Sequence, residues 1–204
     1  PFVILKWAQT ADGKIAAPSP VGGISGSGNK RLKISNEYSD RLVHQWRSEE
    51  AAILVGTNTA LLDDPELTTR LWPGNSPVRL VVDMNLRLPA SLKIFNGQVK
   101  TVVFNTIKNE EVDNLFYYKL EKSKNLVHQL MDALFAMNLQ SVLVEGGARL
   151  LQSFIDENLW DEIKIITNNS LKIGEGLAAP EFAGGLQKEE KIFLTDTIRT
   201  WINN

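Results

Sequence analysis

Short apolar runs rich in β-branched residues alternate along this chain with segments of helical period, and this alternation restricts its fold more than any other feature. The runs fall at residues 2–8, 51–55, 78–82, 101–104, 141–144, 163–166 and 192–194, each reading as a strand. Between several of them lie amphipathic stretches. Tyr38, Leu42 and Trp46 recur every fourth residue after Asn36, a helix-capping type; Leu126, Val127, Leu130, Met131, Leu134 and Phe135 form a second stripe; Leu150, Leu151, Phe154, Ile155 and Leu159 form a third. Strand and helix in alternation predict an α/β sandwich around a mainly parallel sheet. The first run is apolar except for Lys6, the pattern of a strand covered on both faces. A lysine there must snorkel to water or meet a ligand or a carboxylate.

Composition removes several kinds of chemistry. Lys and Arg together number 22 against 24 Asp and Glu, a formal charge of −2, which provides no field for gathering a nucleic acid. There is no cysteine, and only His44 and His128 are histidines, so the usual zinc sites and disulfides are excluded and no metal is expected. No apolar run approaches the roughly 18 residues of a membrane helix, and the first residues lack a signal-peptide pattern. The chain reads as cytoplasmic, without a membrane partner. Its 204 residues show no repeat and no compositional break, so residues 1–204 are read as a single domain. Two glycine-rich stretches, residues 18–28 and 173–185, are expected to be mobile surface loops.

Three segments invite chemistry, and each has a plain structural alternative. In SVLVEGGARLLQSFID a strand runs through Glu145 into Gly146-Gly147 and then a helix. Glycine lets a backbone approach a diphosphate, and the helix start offers unpaired N–H groups; the alternative is a tight turn with nothing bound. Glu145 stands at a strand's carboxyl end, where open α/β sheets bind ligands. In ILVGTNTALLDDPELTTR, Thr57, Asn58, Thr59, Asp63, Asp64, Thr68, Thr69 and Arg70 crowd one turn; they make a small polar site or cap a short helix. In KWAQTADGK, Asp12-Gly13 is a turn dipeptide and Lys6 remains unexplained. Lys30, Arg31 and Lys33 form a basic cluster, read as a solvated loop or a phosphate contact. His44 and His128 have no serine or carboxylate at a telling spacing and are not read as catalytic. Trp72, Trp160 and Trp201 are read as packing residues.

Taken together, K-x-A-x-T-x-D-G-K, then R-x-E-x-x-A-I-L-V-G-x-x-T-x-L-x-D-D-P-x-L-T-x-R, then V-E-G-G-A-x-L-L, in this order, resemble the reductase domain of the bacterial bifunctional riboflavin-biosynthesis deaminase/reductase, a relative of dihydrofolate reductase. The resemblance covers nearly the whole chain and is weakest after about residue 168. The deaminase half of that family carries zinc-ligating cysteines, which this chain lacks. The resemblance implies a dihydrofolate-reductase-like three-layer fold and a homodimer, with a deaminase domain on the same or another chain. It also implies NADPH-dependent reduction of 5-amino-6-(5-phosphoribosylamino)uracil to the ribitylamino compound. Rival readings are a reductase acting on the undeaminated diaminopyrimidine or on a dihydropterin, and a nucleotide-binding module without turnover.

Carried over by residue, the resemblance implies NADPH contacts at Ala8, Thr59 and Asp63 and along the turn and helix start from Gly146 and Gly147 through Ala148, Arg149 and Leu150 toward Ser153. It implies substrate contacts at Arg47, Leu67, Arg70 and Glu145, with Arg47 and Arg70 clamping a ribose phosphate. Lys6 and Asp63 are the polar groups expected nearest the reacting carbon, Asp63 handling the proton of the sugar ring. The family commonly reads S-x-W-I-T before its first helix, where this chain has Arg31-Leu32-Lys33-Ile34-Ser35. Lys33 thus takes the place of a cofactor-stacking tryptophan and Arg31 that of a substrate-binding serine. Arg149 and residues 83–87 are where a 2′-phosphate would be read.

Overall fold

The computed structural model describes residues 1–18 and 32–204. In chain order its elements are β1 (Phe2–Thr10), β2 (Lys14–Ala16), α1 (Glu37–Glu49), β3 (Ala52–Gly56), α2 (Thr57–Asp63), β4 (Val78–Val82), β5 (Thr101–Asn105), β6 (Glu110–Val112) and β7 (Leu115–Lys119). There follow α3 (Leu126–Ala136), β8 (Ser141–Gly146), α4 (Ala148–Asp156), β9 (Glu162–Asn168), β10 (Leu177–Ala178), β11 (Leu186–Phe193) and β12 (Asp196–Ile202).

The apolar first run lies in the middle of a ten-stranded sheet ordered β11-β12-β9-β1-β8-β3-β4-β5-β7-β6. From β9 to β7 every neighbouring pair is parallel; β6, β12 and β11 are antiparallel additions at the two ends. A small second sheet pairs β10 with β2.

Alternation along the strands builds three layers. Val3, Leu5 and Trp7 of β1, Leu54 of β3 and Val144 of β8 pack with Val127, Leu130 and Leu134 of α3 and Leu151 and Phe154 of α4. The opposite face carries two smaller clusters. Ile53, Val55 and Val81 meet Ala60 of α2, Leu67 and Ile94, while Ile166 and Ile198 meet Val43 of α1. Glu145 and Lys6 fall one residue out of phase with the first cluster, and so point to the side of α1.

Three expectations are corrected. On α1, capped by Asn36 as expected, the buried residues are Ser39, Val43, His44 and Arg47, whereas Tyr38 is half exposed. The buried face is thus set by site residues rather than by the most apolar stripe. Phe135 of the second stripe is 77% exposed, and Ala133 packs in its stead. Residues 173–185 are fastened, not loose. Asp12 accepts from the amides of Ile173 and Gly174, Gln152 exchanges two 3.0 Å hydrogen bonds with the Glu181 backbone, and the Phe182 ring is edge-on to Trp7, Trp160 and Trp201. Of the strand expected at 192–194, residues 192 and 193 end the longer β11, and Leu194 lies in the turn to β12. The expectation for residues 18–28 falls, beyond Pro18, outside the described residues.

Candidate active site at the carboxyl ends of the central strands

Because β1, β8, β3 and β4 are parallel, their carboxyl ends lie along one edge of the sheet, and there the structure gathers buried charge. Arg47, in the last turn of α1, grips Glu145 with a two-pronged fork. Its Nε donates to Oε1 at 2.7 Å and its Nη2 to Oε2 at 2.8 Å, while Nη1 donates to the Thr68 carbonyl at 3.2 Å. Lys6 Nζ stands 3.7 Å from Glu145 Oε2, and the Lys6 and Glu145 side chains are only 13% and 9% exposed. Burial alone would push the Glu145 carboxyl up; Arg47 and Lys6 outweigh it and hold the group down at about 2. Arg47 is buried too, and Glu145 more than reverses the loss of proton affinity that burial would bring.

His44 lies one helical turn before Arg47 and is 4% exposed. Burial first, then the charges of Arg47 and Arg70, bring its imidazole down to about 4, so it is neutral near pH 7. Its Nδ1 is buried without a partner among the described residues.

Next to this cluster, β8 ends in two glycines joined by a cis peptide, Gly146 at φ +127°, and Gly147 forms the N-cap of α4 without any side-chain cap. A Cβ on Gly147 would stand 3.2 Å from Thr59 Oγ1, and one on Gly56 would stand 3.7 Å from the Gly147 nitrogen. Thr57 Oγ1 donates to the Val82 carbonyl at 2.5 Å, tying the start of α2 to the end of β4. Two strand ends and the starts of two helices therefore meet around bare backbone. The first intrahelical bond of α4 is taken by the Leu151 amide, 3.1 Å from the Gly147 carbonyl, so the amides of Ala148, Arg149 and Leu150 face outward with the positive end of the helix dipole. A dinucleotide diphosphate fits this arrangement, since it needs N–H donors and no intervening side chain.

The remaining expected site residues divide. Ala8 lies on β1 beyond Lys6, and Asp63 is the partly buried last residue of α2. Leu67 is 1% exposed within the cluster of Ile53 and Val55 at φ +55°, so it can offer a ligand only its backbone. Arg70, at the end of the same segment, is 55% exposed and loosely paired with Glu66 at 4.0 Å. Lys33 is 69% exposed and 3.3 Å from Asp40. Arg149 and Arg87 are exposed, while Asp83, buried at the end of β4, accepts from the Leu88 amide at 2.8 Å. Arg31 lies outside the described residues.

Two buried neighbours of the site escaped sequence reasoning. His44 carried a signal, since it sits at helical spacing from Arg47; Arg79 carried the same signal as Lys6, a charge inside an apolar strand. Arg79 is wholly buried and holds the segment of Leu67 from behind through the Glu66 carbonyl at 3.5 Å.

Residues 1–198 match the family described as the RibD C-terminal domain. The chain belongs to this family. Among curated relatives, the riboflavin biosynthesis protein RibD of Aquifex aeolicus is 34% identical over 87% of this chain and 49% of its own length. The 2,5-diamino-6-ribosylamino-4(3H)-pyrimidinone 5′-phosphate reductase of Methanothermobacter thermautotrophicus is 34% identical over 81% of this chain and 76% of its own. The chain therefore spans about half of the RibD relative and three quarters of the archaeal one. Among solved structures, a diaminohydroxyphosphoribosylaminopyrimidine deaminase/5-amino-6-(5-phosphoribosylamino)uracil reductase from Thermotoga maritima superposes with a TM-score of 0.79 at 26% identity, over all of this chain and 57% of that one. RibD-type reductases thus share the three-layer, dihydrofolate-reductase-like fold described above. No helix among the described residues is long and apolar enough to cross a membrane.

Proposed function

We propose that the chain is a riboflavin-pathway reductase that uses NADPH to reduce the ribosyl group of 5-amino-6-(5-phosphoribosylamino)uracil to its ribityl form. The observation that carries this reading is the buried Arg47–Glu145–Lys6 cluster set directly against the uncapped Gly146-Gly147 helix start, in a chain of the RibD C-terminal domain family. When bound, the dinucleotide supplies a hydride. Everything else is placement by the protein, which in well-oriented systems is worth up to roughly 7–11 kcal/mol.

Thr59, the glycine turn and the first amides of α4 hold the cofactor's diphosphate, and Ala8 and Asp63 are further cofactor contacts. Arg70, exposed, and the donors of Arg47 not given to Glu145 hold the ribose phosphate, where each charged hydrogen bond is worth about 1.5–3 kcal/mol. Glu145, kept ionised, accepts from a sugar hydroxyl or a pyrimidine N–H. Lys6 and Asp63 flank the reacting carbon, and Asp63 serves the proton of the opening sugar ring.

A second reading, reduction of the undeaminated diaminopyrimidine, is favoured by archaeal relatives that carry that substrate in their names and that this chain covers to 76% and 78% of their length. The deciding experiment offers both phosphoribosylaminopyrimidines separately with NADPH, then NADH, and follows cofactor oxidation. Oxidation with neither pyrimidine would end the reductase reading; full turnover by Asp63→Asn would remove that residue from proton transfer. We further read the chain as a cytoplasmic homodimer that works beside a deaminase domain. In support of pairing, the edge strand β11 is exposed along nearly its whole length, with Leu186 at 61% and Ile192 at 69%.

A further inference from the structure

We propose that Arg79 is a positioning residue for the substrate, which it never touches: it presets the left-handed turn at Leu67 that aims the Thr68 carbonyl at Arg47 and carries Arg70. The inference rests on the reading of Arg47 and Arg70 as phosphate ligands.

Leu67 stands at φ +55° and Asp64, three residues earlier, at +39°, a region that residues with a side chain enter only at a cost. Such a backbone persists where its surroundings leave it no alternative. On the site side, the Thr68 carbonyl receives Arg47 Nη1 at 3.2 Å. Beneath, the Leu67 side chain is 1% exposed among Ile53, Val55 and Ile94, and Arg79 Nη1 donates to the Glu66 carbonyl at 3.5 Å. That carbonyl belongs to the peptide entering Leu67, so the contact fixes the plane from which φ is set. Arg79 Nη1 also donates to the Lys93 carbonyl at 3.3 Å, while the Lys93 amide donates to Asp64 Oδ1 at 2.7 Å. Both left-handed residues are thus held against one anchor, and Arg70 beyond them is left 55% exposed.

An apolar residue could fill this place on β4, as Leu80 and Val81 fill theirs, and would spare the burial of a charge. What arginine adds is a flat fork with donors in several directions. Its other donors go to Thr101 Oγ1, Asn96 Oδ1 and the Val99 carbonyl, so the turn is fastened to β5 and the loop before it. A turn fixed in advance spares the cost of ordering it when the ligand binds.

In the unaltered protein, the 13Cα and 13Cβ shifts of Leu67 should report a left-handed backbone without ligand and keep it on saturation with ribose 5-phosphate. A turn that becomes left-handed only on saturation would overturn the inference. Arg79→Lys keeps the charge but not the fork. Well below its melting temperature, this variant is expected to displace the Leu67 shifts and to weaken ribose 5-phosphate binding about tenfold. KM for the pyrimidine should rise equally, with kcat little changed and NADPH binding weakened less than about threefold. Asn96→Ala, which removes a partner of the fork on the side away from the turn, should lower stability and leave ribose 5-phosphate binding within about twofold. A merely structural Arg79 would leave both dissociation constants of the folded Arg79→Lys protein unchanged or raise them alike, and either result would overturn the inference. The measurement on the unaltered protein stands even if Arg79→Lys fails to fold. If the unaltered protein takes up no ribose 5-phosphate, the phosphate-site reading alone falls, since the Leu67 shifts of the ligand-free proteins still decide whether Arg79 sets the turn.

Discussion

Two arginines are buried beneath the 64–70 segment, and they are satisfied in opposite ways. Arg79, on β4, spends all five of its N–H groups on neutral oxygens: Thr101 Oγ1, the carbonyls of Glu66, Lys93 and Val99, and Asn96 Oδ1. Arg47 gives two prongs to the carboxylate of Glu145 and one donor to Thr68, leaving two N–H groups uncommitted among the described residues. The first arrangement is closed and fixes the chain. The second is open, and a ligand can complete it. Burial of a cation therefore does not by itself indicate a binding site; the unspent donors do.

The contrast is broken most forcefully at Arg79. Arg79→Met removes five buried hydrogen bonds and leaves the Glu66 carbonyl and Thr101 Oγ1 without their donor, and should cost on the order of 3–5 kcal/mol in urea denaturation; Arg79→Lys should recover little, because an ammonium on a single stem cannot reach all five oxygens. Next comes Arg47→Met, which should lower kcat/KM about a hundredfold or more and raise the Glu145 carboxyl from about 2 toward its ordinary value, as read by carbon NMR of the labelled side chain. A smaller effect is expected at the surface: Arg70→Ala should raise KM for the phosphorylated pyrimidine about tenfold while shifting stability by less than about 0.5 kcal/mol.

A further effect is in pH. His44 is lowered to about 4 from 6.5 and Glu145 to about 2 from 4.5, so in both cases the unfolded chain binds the extra proton first. Stability should decline as pH falls from about 6.5 to 4 through His44, and again from about 4.5 to 2 through Glu145. Arg79 stays charged throughout and contributes no slope. A thermal-melting series that is flat between pH 6.5 and 4 would contradict the buried neutral imidazole.

The central strands were legible because residues such as Ile53, Leu54 and Val55 are apolar on both faces, which only a doubly covered strand tolerates. The glycine turn and Glu145 were legible as a strand-to-helix junction. The face of α1 was not: a hydrophobic stripe assumes that burial follows apolarity, whereas Arg47 is buried by pairing with Glu145 and Thr68, partners about a hundred and about twenty residues away. β12 was missed because its buried positions include Asp196, Thr197 and Thr200, whose burial depends on neighbours across the sheet. β7, an aromatic run at 115–119, carried a readable signal. The fastening of residues 173–185 was illegible because it rests on single long-range contacts, those of Asp12, Gln152 and Phe182.

The central position of β1 also sets the order of events during folding. Its two neighbours, β8 and β9, begin at residues 141 and 162, so β1 waits for well over a hundred further residues before it acquires any partner in the large sheet. Such distant pairing is slow to form. Until β8 arrives, the apolar strand lacks its sheet partners and Arg47 lacks the carboxylate of Glu145, and this interval is when the nascent chain is most exposed to misassembly.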